Sequence, residues 1–263
     1  MASNVEVVQL SAAIGREFSY KLLAAACELP EAELQAELDK LVRAELLFQK
    51  GRLPDASYIF KHALIQDSAY QSVLKKKPQQ FHHRIATVLE RQFPDVAATQ
   101  PELLAKHFTE AASTENAIEY WSKAGQRSQQ QSANNEAISH YRRGLELVAT
   151  LPESPQRDGL ELSMTVPLGV AMLAARGYAN PETGPVFDRA RVLAERVGDP
   201  ATLFYILWGM WAWRLVRSDL NECRKLYSTL LDIAAKQTDP SWTCEAHFAP
   251  EVVNYYAGDF AAS

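Results

Sequence analysis

The chain has 263 residues, 47% of them apolar and 22% charged, with a formal net charge of −5. That is the make-up of an ordinary globular protein with room for one large core or two smaller ones. Eleven glycines and thirteen prolines are too few for a collagenous or low-complexity chain. The mild acidity argues against wrapping nucleic acid through a broad basic face.

Lys75-Lys76-Lys77, the only basic run, reads as a solvated helix end before Pro78. Cys27, Cys223 and Cys244 are widely spaced, with no CxxC pair. Such a sparse, odd set suits buried thiols in a reducing cytoplasm better than a disulfide framework. The N-terminus lacks the basic and apolar regions of a signal peptide. The most apolar stretch, Ala201 to Val216, is interrupted by Arg214 and is too short to span a bilayer, so it reads as a buried helix.

In chain order, Val5–Ala13 and Ser19–Cys27 read as short apolar helices separated by Gly15, with Ser19 as an N-cap. Pro30 opens a third helix, Glu31 to Ala44, with Leu34, Leu38, Leu41 and Val42 on one stripe. The one clear β signal follows. Leu46–Gln49, a turn over residues 51–55, and Tyr58–Phe60 form a hairpin, and a helix runs from about Lys61 to Leu74. This order predicts a winged-helix module over residues 1–77.

From Pro78 onward the pattern is helical throughout, over roughly 78–92, 101–112, 115–131, 133–150, 156–175, 181–197, 200–216, 219–237 and 241–256. Breakers fall at Pro94, Pro101, Pro152, Pro155, Gly177, Gly198-Asp199-Pro200, Asp239-Pro240 and Gly258-Asp259. Trp121, Gly125, Ala137, Tyr141 and Gly144 meet the large, small, small, aromatic, small offsets of a tetratricopeptide pair. Small residues there let two helices approach, and aromatics fill the gaps. Gly209, Cys223 and Tyr227 follow the pattern more loosely. The expected fold is therefore mainly α: a winged-helix module with one short hairpin, then a tetratricopeptide-like solenoid of antiparallel pairs over 78–263. The end, Gly258-Asp259-Phe260-Ala261-Ala262-Ser263, reads as a repeat left half-built, hence a C-terminal truncation.

Two stretches carry a resemblance to a known family: Ala12-Ala13-Ile14-Gly15-Arg16-Glu17-Phe18-Ser19-Tyr20, and Phe60-Lys61-His62-Ala63-Leu64-Ile65-Gln66-Asp67-Ser68-Ala69-Tyr70. Ala124-Gly125-Gln126-Arg127 and Arg143-Gly144-Leu145-Glu146-Leu147 extend it. Together they resemble bacterial proteins that join a class III adenylate/guanylate cyclase domain, a signal-transducing ATPase of the STAND kind, and a long tetratricopeptide tail. The resemblance implies a winged helix C-terminal to a nucleotide-binding core, acting as a lid. Related immune-type ATPases carry Met-His-Asp at the start of a winged-helix helix, with the histidine near the β-phosphate of bound ADP. His62 is the matching residue and a candidate nucleotide sensor, although Lys61 replaces the Met and Ala63 the Asp. ATP or ADP is thus implied only for a longer parent, with an upstream ATPase domain as one partner.

No phosphate-cradling Gly-x4-Gly-Lys-Ser/Thr, Gly-x-Gly-x-x-Gly, His-Glu-x-x-His or Gly-x-Ser-x-Gly occurs, so no cofactor, metal or catalytic residue is assigned to this segment. His82 and His83 point about 100° apart on a helix and do not chelate together, so with His62 and His107 they read as surface or interface histidines. Phe204, Trp208 and Trp211 share one stripe from which Trp213 turns away. That stripe reads as a repeat core. Its alternative is a partner groove of Phe204, Trp208, Trp211 and Arg214, receiving a protein or small-ligand signal.

The function expected is a non-catalytic regulatory and protein-interaction segment, cytoplasmic and without a membrane span. The alternative is a DNA-binding winged-helix transcription regulator with a helical-repeat sensor. Against it, residues 31–45 carry Glu31, Glu33, Glu37, Asp39 and Glu45 with only Lys40 and Arg43, and phosphates would repel such a helix.

Overall fold

A computed structural model describes residues 2–74, 78–237 and 240–259, and these described residues are mainly α, with fourteen helices and one small antiparallel sheet. Lys75–Lys77, Asp239 and Phe260–Ser263 lie outside the described residues, and with them the basic run and the Ala-Ala end. The backbone divides into two compact units, the first ending at Tyr120 and the second starting at Trp121.

In the first unit, α1 (Ala2–Ile14) leads to β1 (Glu17–Ser19), α2 (Tyr20–Ala26) and α3 (Glu31–Arg43). The hairpin follows as β2 (Leu47–Lys50) and β3 (Ser57–Phe60), then α4 (Ala63–Leu74). Ser19 caps α2 as expected, its Oγ accepting from the Leu22 amide at 3.2 Å. The sheet order is β1-β3-β2, so β3 is the central strand. In its register Phe18 faces Tyr58 and Leu47 faces Phe60, and all four side chains are buried.

The hairpin therefore gains a third strand where the sequence suggested only a break. Three residues are too few to display period-two alternation. Glu17–Ser19 become a strand because β3 offers a free edge, and the bonds Phe60 N–H to Arg16 O and Tyr20 N–H to Ala56 O bracket the pairing. Helix α3 buries Leu34, Leu38 and Leu41 and leaves Glu31, Glu33, Asp39, Lys40 and Arg43 in solvent.

The unit continues with α5 (Pro78–Gln92), α6 (Pro94–Thr99), α7 (Pro101–Glu110) and the first turns of α8 (Thr114–Gln130). The break expected at Pro94 is the start of helix α6. Proline at the first helical position lacks only an amide that would go unbonded there, so it starts this short helix instead.

The second unit holds the rest of α8, then α9 (Asn134–Val148), α10 (Pro155–Arg176) and α11 (Thr183–Val197). It continues with α12 (Pro200–Val216), α13 (Leu220–Ala234) and α14 (Pro240–Ala257). From α9 onward each helix packs on the next, a repeat-like arrangement. Close approach is carried by small residues under large ones. A Cβ added at Gly125 would lie 2.6 Å from Tyr141 Cζ, and one at Gly144 would lie 2.6 Å from Met164 Sδ. The Phe187 ring is held between Gly169 and Gly209, on α10 and α12. Trp121, Ala137 and Tyr141 are all buried, which is the packing their offsets were read to encode.

Several helices end with one turn geometry. Ala112, Ser132 and Ser218 take positive φ, and the next amide reaches back five residues, as in Asp219 N–H to Arg214 O at 3.0 Å. Such left-handed caps satisfy carbonyls that the helix end would otherwise strand. Helix α10 is long and apolar enough to cross a membrane by length and composition, yet its buried side packs on α9 and α11 as a core helix does.

Candidate functional site

Helix α12 begins at a strong cap. Asp199 Oδ1 accepts from the Ala201 and Thr202 amides at 3.0 and 3.1 Å, and Oδ2 accepts from the Thr202 hydroxyl at 2.6 Å. The Thr202 side-chain and backbone bonds hold the Asp199 carboxyl below its usual range. Pro200 then starts a helix whose aromatic side chains point to two different places.

Phe204 (1% exposed) and Trp211 (3%) are closed into the core of the second unit. Phe204 packs on Trp242 of α14, with ring centroids 4.9 Å apart. Trp208 is half-buried between Trp211 and Phe248, whose own ring is exposed. The buried Trp211 indole nitrogen has no hydrogen-bond partner among the described residues. Arg214 is half-buried, 3.0 Å from Asp219 Oδ2. The four residues named as a groove therefore do not line one open surface. Phe204 and Trp211 pack, and Trp208 and Arg214 remain partly accessible on a helix flank.

Trp213 points the other way, as its position on the helix requires, but it meets protein there too. Its ring covers Gly184, where an added Cβ would lie 2.8 Å from Cζ2, and its indole N–H donates to Asn180 O at 2.8 Å. It thereby anchors the turn between α10 and α11.

Four arginines gather around that turn. Arg142 Nη2, on α9, donates to Glu182 Oε2 at 3.3 Å, and Arg176 Nη1, at the end of α10, donates to the same oxygen. Arg217 Nη1 donates to Ala179 O at 3.0 Å. The guanidinium carbons of Arg214 and Arg217 lie 4.8 and 5.0 Å from the Trp213 ring centre. Sequence pattern does not reveal Arg142, whose partner Glu182 lies 40 residues away, nor that Arg176 and Arg217 join it at this turn.

In the first unit His62 is exposed and lies just ahead of α4, its carbonyl accepting from the Ile65 amide at 3.1 Å. Its neighbour Lys61 reaches Glu45 Oε2 at 2.7 Å. His83 is exposed as expected, but two other histidines need correction. His82 and His107 are buried, not at a surface, and they face each other with Nδ1 to Nδ1 at 2.8 Å. The Tyr70 hydroxyl lies 3.0 Å from His82 Nε2. Only one of two neutral Nδ1 atoms carries the shared proton, so the pair is bonded while it is uncharged. Burial lowers both pKa values, that of His107 to about 3. Helices α5 and α7 bring together positions 25 apart, which adjacency on a single helix does not reveal. Among the described residues no group of three or more His, Cys, Asp or Glu is placed to hold a metal ion.

Comparison with known protein families finds no match, and no solved structure matches the chain. Over 210 residues it is 28% identical to an uncharacterized protein of Rhizobium meliloti (strain 1021), covering 78% of this chain and 20% of that protein. The chain thus spans about a fifth of the length of the curated relative it matches.

Proposed function

We propose that this chain is a regulatory, protein-interaction segment of a signal-transducing ATPase or adenylate cyclase-type protein, working by contact and performing no catalysis itself. In this reading the first unit carries a winged-helix module, and the helices that follow are tetratricopeptide-like repeats that receive a protein or small-ligand signal in the cytoplasm. The observation that carries it is the run of consecutive helix pairs in which glycine lies under an aromatic or methionine side chain, Gly125 under Tyr141 and Gly144 under Met164. Such stacks present long surfaces to partners.

The element order α1, β1, α2, α3, β2, β3 supports the winged-helix part. The acids on the exposed side of α3 favour a lid over a DNA reader. A relative about five times longer than the matched region suits a segment that serves other domains. His62, exposed beside the first turn of α4, is the residue we assign to sensing the diphosphate of a nucleotide held by the upstream domain.

The test uses the full-length gene product, loaded with fluorescent ADP. His62→Ala is expected to speed ADP release several-fold while leaving the thermal transition of the protein in place. A full-length protein that binds no nucleotide would overturn the ATPase reading. Release unchanged by the substitution would remove the role of His62. Binding of duplex DNA that weakens steeply with salt would favour the transcription-regulator alternative.

A further inference from the structure

The turn between α10 and α11, residues 177–182, is gripped more heavily than a turn needs. Trp213 and Asn180 already hold it, through an indole bond at 2.8 Å and the cover over Gly184. Around them stand four guanidinium groups from α9, from the end of α10 and from the end of α12. The carboxylates paired with them, among the described residues, are Glu182 and Asp219. In a chain of net charge −5 this is a local inversion of sign. Arg217 is exposed and, among the described residues, its hydrogen bond goes to a carbonyl, while Arg142 and Glu182 keep 48% and 60% of their side chains in water. Tyr178, half exposed, belongs to the same turn.

Contact with the Trp213 ring restrains Arg214 and Arg217, so these side chains lose less freedom when they bind. Their fork geometry matches carboxylates. We propose that this face docks an acidic peptide segment of a partner protein, two or three of whose Asp or Glu side chains take Arg217 and the outer edges of Arg142 and Arg176, with Tyr178 packing beside them. The proposal rests on the interaction reading above and adds the chemistry of the partner. A polynucleotide fits less well, because it needs a long row of phosphate contacts and this positive face is one turn wide on an acidic protein.

The test uses the full 263-residue chain and a fluorescein-labelled deca-glutamate peptide, read by anisotropy in 0.15 M NaCl. Arg217→Gln, which keeps an amide donor for the Ala179 carbonyl, is expected to weaken binding about threefold, and Arg142→Gln with Arg217→Gln about tenfold. Lys40→Gln on α3, an equal change in net charge, should leave it unaltered. Circular dichroism checks the fold; if the double variant melts early, Arg217→Gln alone decides. Absence of peptide binding, equal losses in the Lys40 variant, or tighter binding of single-stranded DNA would overturn the proposal. ADP release in the longer protein reads His62 and not this turn. Failed peptide binding with intact His62-dependent release refutes the docking face alone.

Discussion

One substitution made at two glycines should have opposite signs, and this tests the packing on which the repeat-like fold depends. Gly125 of α8 and Gly159 of α10 both lie within helices. At Gly159 an added methyl meets nothing within 4 Å, so Gly159→Ala gains helix propensity alone, about 0.5–1 kcal/mol. At Gly125 the methyl would overlap the Tyr141 ring, which is fully buried and tied by its hydroxyl to Gln129 Oε1 at 2.6 Å.

That ring cannot swing away as an exposed chain end would. Overpacking costs about 1–3 kcal/mol, so Gly125→Ala should lose about 1–2 kcal/mol after the propensity gain. Urea titration followed by circular dichroism measures both. With about 2–4 °C per kcal/mol for a protein of this size, the two variants should melt several degrees apart, on opposite sides of the parent. Adding Tyr141→Leu to Gly125→Ala should cost less than the sum of the single changes, because the clash disappears with the ring. If Gly125→Ala stabilises as much as Gly159→Ala, the close approach of α8 and α9 is wrong.

Two further outcomes are expected. The folded-state pKa values of His82 and His107 lie below the usual 6.5, so the unfolded chain takes up protons first and stability falls as pH drops below that value, down to about 3. The loss from His107 should be on the order of 3 kcal/mol at pH 4, and His107→Leu should remove that share while His82 keeps its own; a slope unchanged by the substitution would assign the dependence elsewhere. Asp199→Ala, which removes the cap of α12, should cost about 1 kcal/mol in the same titration, and Asp199→Ser should recover most of it. An equal loss in both would place the role of Asp199 outside capping.

How far the fold was readable depends on the distance over which each signal acts. The leucine stripe of α3, the Ser19 cap and the β2–β3 hairpin are local patterns, and each was legible. So was the close approach of α8 and α9, since Trp121, Gly125, Ala137, Tyr141 and Gly144 lie within two adjoining helices. Strand β1 was not, because three residues carry no alternation and pair only once β3 is in place. The role of Trp213 was half legible. Its angle on α12 follows from sequence, but its landing place on Gly184 does not.

The candidate sites divide in the same way. The position of His62 just ahead of α4 follows from the hairpin and helix signals around it. The His82–His107 pair and the arginines around residues 177–182 join positions 25 to 40 apart, which composition and periodicity cannot link. Periodicity, caps and breakers by themselves determined that the chain is helical, where most helices start, and which stripe of each is apolar, because these are contests between a residue and its neighbours within a turn or two. Only the tertiary structure decided which histidine meets which and which surface gathers positive charge. Side chains on different helices acquire their partners, their burial and hence their protonation from how those helices pack.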